Sequence, residues 1–371
     1  MKIIATGIMN RGARGGRRAL ATFPSVTALP DGTLLASCRV GTTKDCDDET
    51  VEFRRSADGG RTWGDPVAPF STVLGDRRGS LRVAYVTPMG GDRLIVVALW
   101  IDREAHPGKP LFDPETEGCL PMAVIVADSE DLGRTWSGWR AVPVPADVGP
   151  PSLTNPILRL RSGRLAVSIE TNKSYEDRSK WLQRVVYVYS EDGGRTWGAP
   201  ATVAQDPSGR VFNWDQRAGV WPDGRVVTFT WTYDRETTTY LNIRRRISAD
   251  EGETWTAAED LGFSDQASRP AVLPDGRVVL AWVDRYGTRS IRARLAEGID
   301  GPFKAETEVV LYEHREGSRD WARDTGEMLA EMGVWSFGLP YAEALPDGDV
   351  MVVYYAGDEG RMDARWARLE V

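Results

Sequence analysis

This chain of 371 residues has few cysteines and histidines and no excess of basic residues. Its three cysteines, Cys38, Cys46 and Cys119, form neither an even set nor a metal-ligand spacing, so we expect no disulfide framework and no metal site. The formal net charge of −8 argues against a nucleic-acid partner. The only histidines, His106 and His314, lie in loops rich in proline or charge, where a surface role is expected. No cofactor is predicted.

Long apolar runs are also missing. The segment from Met1 to Gly7 is too short for a signal peptide, and arginines follow it at positions 11, 14, 17 and 18. No stretch is long and apolar enough to span a membrane, so no membrane partner is expected. The sequence therefore predicts a cytoplasmic protein, or a secreted one if a signal peptide has been removed.

The chain is instead rich in repeats. The pattern Ser-x-Asp-x-Gly-x-Thr-Trp predicts a turn in which Asp and Ser bind backbone N–H groups, Gly takes a positive φ and Trp packs against its neighbours. It occurs four times, at residues 56–63, 129–136, 190–197 and 248–255. A second turn signal, Pro-Asp-Gly or a variant between two apolar runs, predicts a hairpin. It occurs six times, at residues 29–32, 90–92, 161–163, 221–224, 273–276 and 345–348.

These two signals alternate, which predicts a unit of four antiparallel strands: A, the Pro-Asp-Gly turn, B, a variable loop, C, the Asp turn, and D. Such units cannot bury their faces singly, and closing them into a ring hides their edges. We therefore predict an all-β fold, a six-bladed β-propeller that occupies residues 1–371 as a single domain. The strand from Lys2 to Met9 is expected to supply the outer strand of the last blade and so close the ring.

Strand direction also predicts which face of the ring carries a site. Both kinds of turn fall at one end, whereas the B-to-C loops and the starts of the A strands fall at the other, where aromatic and charged residues are concentrated. Sugars stack on aromatic rings, and their hydroxyls need Arg, Asn or carboxylate partners, so we predict a carbohydrate ligand. The candidate substrate-binding residues are Arg39, Arg217, Arg235, Arg269, Arg285, Arg289, Trp100, Trp214 and Trp231.

With four Asp turns of this type, known as Asp boxes or BNR repeats, the chain resembles the sialidase (neuraminidase) superfamily of six-bladed propellers. The resemblance implies a glycoside hydrolase with an Asp acid/base, a Tyr nucleophile and a helper carboxylate. By local motif, Asp45 is the acid/base candidate, nine residues before Arg54, with Asp47 and Asp48 as competitors. The same comparison makes Tyr341, in strand A of the last blade, the nucleophile. It makes Asp215, in Asn213-Trp214-Asp215-Gln216, the helper.

The arginine clamp that the family uses for a substrate carboxylate is incomplete here. Thr22-Phe23-Pro24 stands where an Arg-Ile-Pro motif is expected, and the other two positions fall near Arg235 and near Arg285 or Arg289. Because bidentate arginine contacts anchor carboxylates, this departure predicts a sugar other than ordinary sialic acid, such as another acidic sugar or a pentose.

A related exo-arabinanase group uses two carboxylates instead of a tyrosine. Glu170, at the end of a B strand, is placed for such a mechanism and completes the set of catalytic candidates.

Two other functions fit the same sequence. One is a non-catalytic carbohydrate-binding propeller. The other is a polysaccharide lyase, in which a Tyr or His base would remove a proton from a uronate-containing glycan. Two insertions, 102–119 and 314–331, are predicted to form a rim or lid. The helical character of residues 319–331 also makes that segment a candidate contact in a homo-oligomer.

Overall fold

The computed structural model describes residues 1–315 and 324–371, and within these ranges the fold is all-β with one short α-helix. No helix in the described ranges is long and apolar enough to cross a membrane. Most strands are covered on both faces, so most of their positions are buried and apolar residues follow one another along the chain. The first four strands are β1 (Lys2–Asn10), β2 (Leu20–Ala28), β3 (Leu34–Gly41) and β4 (Thr50–Ser56).

Four five-stranded sheets follow in chain order, each forming a propeller blade. The first contains β5 (Val73–Leu74), β6 (Arg77–Gly90), β7 (Arg93–Asp102), β8 (Met122–Ser129) and β9 (Arg140–Ala141). The second contains β10 (Ser152–Leu153), β11 (Leu158–Arg159), β12 (Leu165–Glu170), β13 (Arg184–Ser190) and β14 (Pro200–Gln205). The third contains β15 (Val211–Val220), β16 (Val226–Asp234), β17 (Thr239–Tyr240), β18 (Arg244–Ser248) and β19 (Glu259–Asp260). The fourth contains β20 (Gln266–Ala267), β21 (Ala271–Val272), β22 (Val278–Asp284), β23 (Ser290–Ala296) and β24 (Val309–Glu313).

The remaining elements complete a seven-stranded sheet. Helix α1 spans Thr325–Glu331, and β25 (Phe337–Ala344), β26 (Val350–Asp358) and β27 (Arg361–Glu370) follow it. The sheet runs in the order β25-β26-β27-β2-β3-β4, and β1 pairs antiparallel with β27 from Lys2↔Glu370 to Asn10↔Ala364. Strand β2 meets β27 through one parallel bridge, Leu20↔Met362. Two short 3₁₀ helices, Ala146–Val148 and Ala305–Thr307, lie in connections.

The four Asp turns share one hydrogen-bond pattern. In the third, the Ser190 hydroxyl accepts the Gly194 N–H at 2.8 Å, while Asp192 accepts the N–H of Thr196 at 2.8 Å and its hydroxyl at 2.6 Å. Gly194 has φ 88°, and a Cβ there would lie 2.8 Å from Ile95 of the preceding blade. The glycine therefore allows both the turn and its close packing on the neighbouring blade.

Three inner strands are interrupted at the same level of the ring. Register shifts occur in β2, β15 and β25, and each contains a residue with positive φ: Phe23 at 50°, Asp215 at 44° and Leu339 at 46°. A bulge of this kind bends a strand and redirects one side chain. All three residues line a cavity at the mouth of the ring, so the bulges position the candidate site.

Candidate functional site

A cavity of about 400 Å³ opens on the face that carries the B-to-C loops. Its walls are mainly apolar, with a small set of polar groups, which is typical of a small-molecule site. The polar and charged residues that line it are Lys44, Asp45, Arg82, Ser152, Thr154, Glu170, Asn172, Asp215 and Gln266.

Both predicted insertions contribute to this cavity. Leu111 and Phe112 line it from the first insertion, and Leu329 lines it from α1 in the second. The two insertions touch at Gly326, where an added Cβ would collide with the carbonyl oxygen of Pro114. They therefore form a shared roof over the cavity. Of the predicted helical segment 319–331, residues 325–331 are helical, and residues 319–323 lie outside the described part of the chain.

Glu170 and Asp215 form a carboxylate pair in this cavity. The Oε1 atom of Glu170 accepts the Gln216 N–H at 2.9 Å and the Thr154 hydroxyl at 3.2 Å. Burial, reinforced by the negative charge of Asp215, raises the pKa of Glu170 to about 8. Its environment therefore favours the protonated form of Glu170.

Asp215 is surrounded by hydrogen-bond donors. Its Oδ2 atom accepts a hydrogen bond from the Gln266 amide, and its Oδ1 lies 3.8 Å from Nη2 of Arg217. Asp215 lies at the bulge in β15 and has a positive φ, and this irregular backbone places the residue in the cavity lining.

Asp45 also lines the cavity but has a different environment. Its Oδ1 atom lies 3.0 Å from Nη1 of Arg103 and 3.8 Å from Nη1 of Arg82, and its Oδ2 accepts the Leu111 N–H at 2.6 Å. Burial alone would raise the pKa of Asp45, but Arg82 and Arg103 outweigh it and lower the pKa. Asp45 is thus an ionised, ion-paired carboxylate. Its competitors Asp47 and Asp48 are not among the cavity-lining residues.

Lys44 connects the loop that contains Asp45 to the segment that follows α1. Its ammonium donates hydrogen bonds to the carbonyl oxygens of Met332 at 2.6 Å and Trp335 at 2.9 Å, and to the Tyr355 hydroxyl at 3.1 Å. Burial, followed by the positive charge of Arg285, lowers the pKa of Lys44. Sequence reasoning did not select Lys44, although it lies directly before Asp45.

The aromatic candidates Trp214 and Trp231 lie in the cavity wall, with ring centroids 5.6 Å apart. Trp181 and Trp335 extend the same wall. The indole N–H of Trp231 is buried and has no hydrogen-bond partner among the described residues. An oxygen of a bound sugar could accept it. Trp214 lies in β15 and Trp231 in β16, whereas Trp181 and Trp335 lie outside the strands, so strand alternation gives no signal for the last two.

Most of the predicted arginines bind other protein groups outside the cavity lining. Among the described arginines, Arg82 alone lines the cavity. Arg39 pairs with Glu49 at 2.9 Å beneath Lys44, whose carbonyl it also binds. Arg217 donates to the Tyr85 hydroxyl at 3.2 Å and to the carbonyl of Thr154.

Two further arginine candidates are held by local partners. Arg285 donates to the Phe337 carbonyl at 2.6 Å, and its guanidinium lies 3.9 Å from the ring centroid of Trp335. Arg235 pairs with Glu117 of the first insertion at 2.8 Å.

Four further predicted residues do not line the cavity either. Tyr341 and Arg269 line a second cavity of about 240 Å³ near the Pro-Asp-Gly turns. The Tyr341 ring stacks on Tyr85 with centroids 6.0 Å apart, and burial raises the pKa of Tyr341. Trp100 packs in its own blade and donates to the Thr72 carbonyl at 2.8 Å. Arg289 lies just before β23, outside the cavity lining.

No group of three or more metal-ligating side chains occurs in residues 1–315 and 324–371. The polar groups of the cavity are carboxylates, two amides, hydroxyls, a lysine and an arginine, which suit proton transfer and binding of hydroxyls.

Comparisons with known proteins give a consistent fold. No family model matches the chain. Over 210 residues it is 29% identical to a sialidase from Micromonospora viridifaciens, a match that covers 52% of this chain and 31% of that protein. A protein of unknown function from Dyadobacter fermentans superposes with a TM-score of 0.72 at 22% identity, covering 100% of this chain and 99% of the other.

The intramolecular trans-sialidase from Ruminococcus gnavus superposes with a TM-score of 0.67 at 16% identity, over 100% of this chain and 98% of that one. The leech intramolecular trans-sialidase gives the same TM-score at 14% identity, over 99% of this chain and 70% of that one. The propeller fold and these similarities agree with the resemblance carried by the Asp turns. The chain therefore shares the β-propeller fold of these trans-sialidases and is similar in sequence to the sialidase from Micromonospora viridifaciens.

Proposed function

We propose that the chain is an exo-acting glycoside hydrolase that removes a terminal sugar other than ordinary sialic acid. The observation that carries this proposal is the pair Glu170 and Asp215, two carboxyl groups in one cavity with different surroundings. Two neighbouring carboxyl groups whose environments give them different pKa values are typical of a general acid and its partner. The roofed cavity suits a terminal sugar.

In this mechanism Glu170 is the general acid. Its proton, retained at neutral pH, passes to the glycosidic oxygen as the bond to the leaving group breaks. Asp215 acts on the opposite side of the sugar, either attacking the anomeric carbon directly or activating a water. NMR of the first-formed product distinguishes the two roles, because direct attack retains the anomeric configuration and water attack inverts it.

This assignment replaces the roles that the family resemblance implies for Asp45 and Tyr341. Asp45 is ion-paired with Arg103, so we assign it to binding sugar hydroxyls. Tyr341 lines the other cavity and lies outside the reaction. With Arg82 as the one described arginine in the lining, the site has no three-arginine clamp for a carboxylate, which favours a neutral sugar.

The test is hydrolysis of a panel of aryl glycosides by the wild type and by Glu170→Gln. Glutamine keeps the size of the side chain and an oxygen that can accept the Gln216 and Thr154 hydrogen bonds. We expect the variant to lose about 10²- to 10⁴-fold in kcat on poor leaving groups, as for other general acids. A dinitrophenyl leaving group, which needs no proton, should be affected much less.

The control for this experiment is Glu130→Gln, a change at an exposed glutamate that pairs with Arg93. It should leave both rates unchanged. An equal loss of Glu170→Gln on good and poor leaving groups would show that Glu170 is not the acid.

A non-catalytic carbohydrate-binding propeller is the second candidate, favoured by the tryptophan wall and the incomplete arginine clamp. Saturable sugar binding without turnover of any glycoside would support it. The lyase alternative predicts an unsaturated product that absorbs in the ultraviolet. Neither histidine lines the main cavity among the described residues, so a lyase base there would have to be Tyr355 or Lys44.

We also infer that the seven-stranded sheet contains two blades, which brings the ring to six. One blade consists of β2–β4 and the other of β25–β27 with β1 as its outer strand. The support is the contrast in pairing: β1 follows β27 along most of its length, whereas β2 touches β27 at one bridge. In this arrangement the N-terminal strand closes the ring.

A further inference from the structure

A shallow groove of about 510 Å³ lies next to the candidate site. Met122 lines both spaces, so they lie on either side of this residue. The first insertion lies between them, because its Leu111 and Phe112 line the cavity while His106 and Cys119 line the groove. The groove is therefore the neighbouring space for a glycan that extends from the cavity on the side of Met122.

The groove contains a buried hydroxyl that lacks a partner. The Tyr175 side chain is 5% exposed, and its phenol oxygen makes no hydrogen bond within the described residues. Such a buried polar group is costly unless something binds it. The Tyr175 backbone is fixed from the first insertion, where the Thr116 hydroxyl donates to its carbonyl at 2.6 Å. The position of the phenol is thus set by the fold.

The neighbouring surfaces suit a sugar ring. The imidazole of His106 stacks on Tyr175 with centroids 4.7 Å apart. Four prolines supply flat apolar surface: Pro121, Pro145, Pro150 and Pro151. Glu176 is the one acidic residue among those that line the groove, and no lysine or arginine lines it. A neutral sugar, with apolar C–H faces and hydroxyl edges, fits this combination better than an anionic one.

We propose that this groove is the subsite for the next sugar of the substrate, on the leaving-group side of the scissile bond. The Tyr175 phenol forms a hydrogen bond with a hydroxyl of that sugar, and His106 and the prolines pack against its ring. The substrate is then a neutral oligosaccharide rather than a glycoside of a small alcohol. This order of subsites rests on the proposed hydrolase function; binding of a sugar in the groove does not.

The test compares a trisaccharide with the methyl glycoside of the same terminal sugar, whose leaving group is too small to reach the groove. The variants Tyr175→Phe and His106→Ala should raise KM for the trisaccharide roughly two- to tenfold each, the effect of one neutral hydrogen bond or contact, and leave KM for the methyl glycoside unchanged. Tyr312→Phe and His314→Ala are the matched controls, since these two rings also contact each other but lie outside both spaces. Equal effects on both substrates, or none, would overturn the proposal.

If no glycoside is hydrolysed, the proposed function fails but the groove can still be tested. Saturation-transfer NMR then measures binding of maltotriose, cellotriose, xylotriose and arabinotriose to the full chain. Binding to the wild type and the controls that is lost in Tyr175→Phe and His106→Ala would support the sugar subsite. Absence of binding, or binding that these two changes do not alter, would refute it.

Discussion

The protonated state of Glu170 has a measurable effect on stability. An unfolded chain releases the Glu170 proton near pH 4.5, the usual value, whereas the folded protein keeps it up to about pH 8. Between these values the native state binds more protons, so the free energy of unfolding falls as pH rises. The slope for one such group is about 1 kcal/mol per pH unit, or on the order of 3 kcal/mol between pH 5 and 8.

Glu170→Gln removes this dependence because glutamine stays neutral at every pH. We expect the variant to be close to the wild type in stability at pH 5 and more stable by pH 8. Urea unfolding followed by tryptophan fluorescence at several pH values measures the difference. Contributions of the other groups are common to both proteins and cancel in the comparison, and Glu130→Gln controls for the loss of a glutamate. Curves for Glu170→Gln and wild type that stay parallel from pH 5 to 8 would refute a protonated Glu170.

Three further outcomes are expected. Hydrolysis should decline as pH rises through about 8, because Glu170 then loses the proton it donates, and a rate that keeps rising there would contradict this role. Tyr341→Phe should leave kcat within about threefold of wild type, since Tyr341 lies outside the active cavity, and a much larger loss would reinstate it as nucleophile. Gly326→Ala should lower the melting temperature and raise KM, because its Cβ would push α1 away from Pro114 at a cost of about 1–3 kcal/mol; unchanged values would show that the roof adapts.

The propeller could be predicted from the sequence because its signals are local. In each Asp turn, Ser, Asp, Gly and Thr bind one another within eight residues, so the pattern survives whatever lies around it. The Pro-Asp-Gly hairpins are equally local. Strand direction predicts a site on the face of the B-to-C loops, and Asp45, Glu170 and Asp215 line the cavity on that face.

The side-chain directions at the bulges could not be predicted in the same way. Alternation along β25 assumes a regular strand, but the shift between Gly338 and Tyr341 breaks it. As a result Leu339 lines the main cavity while Tyr341, two residues later, lines the other one. A bulge depends on contacts across the ring, which local sequence does not show. The same limit explains why Gln266 was missed as a partner of Asp215.

The stacked rings of Tyr85 and Tyr341 have a consequence for how a product could leave the proposed active site. Arg217 connects Tyr85 to the Asp215 end, and Tyr341 lines the opposite cavity, so this stack separates two cavities that share no lining residue. In the proposed hydrolase, a released monosaccharide would then leave through the opening by which the glycan arrived, and only after the remaining glycan has moved aside. Release would be ordered, with the free monosaccharide acting as a competitive inhibitor.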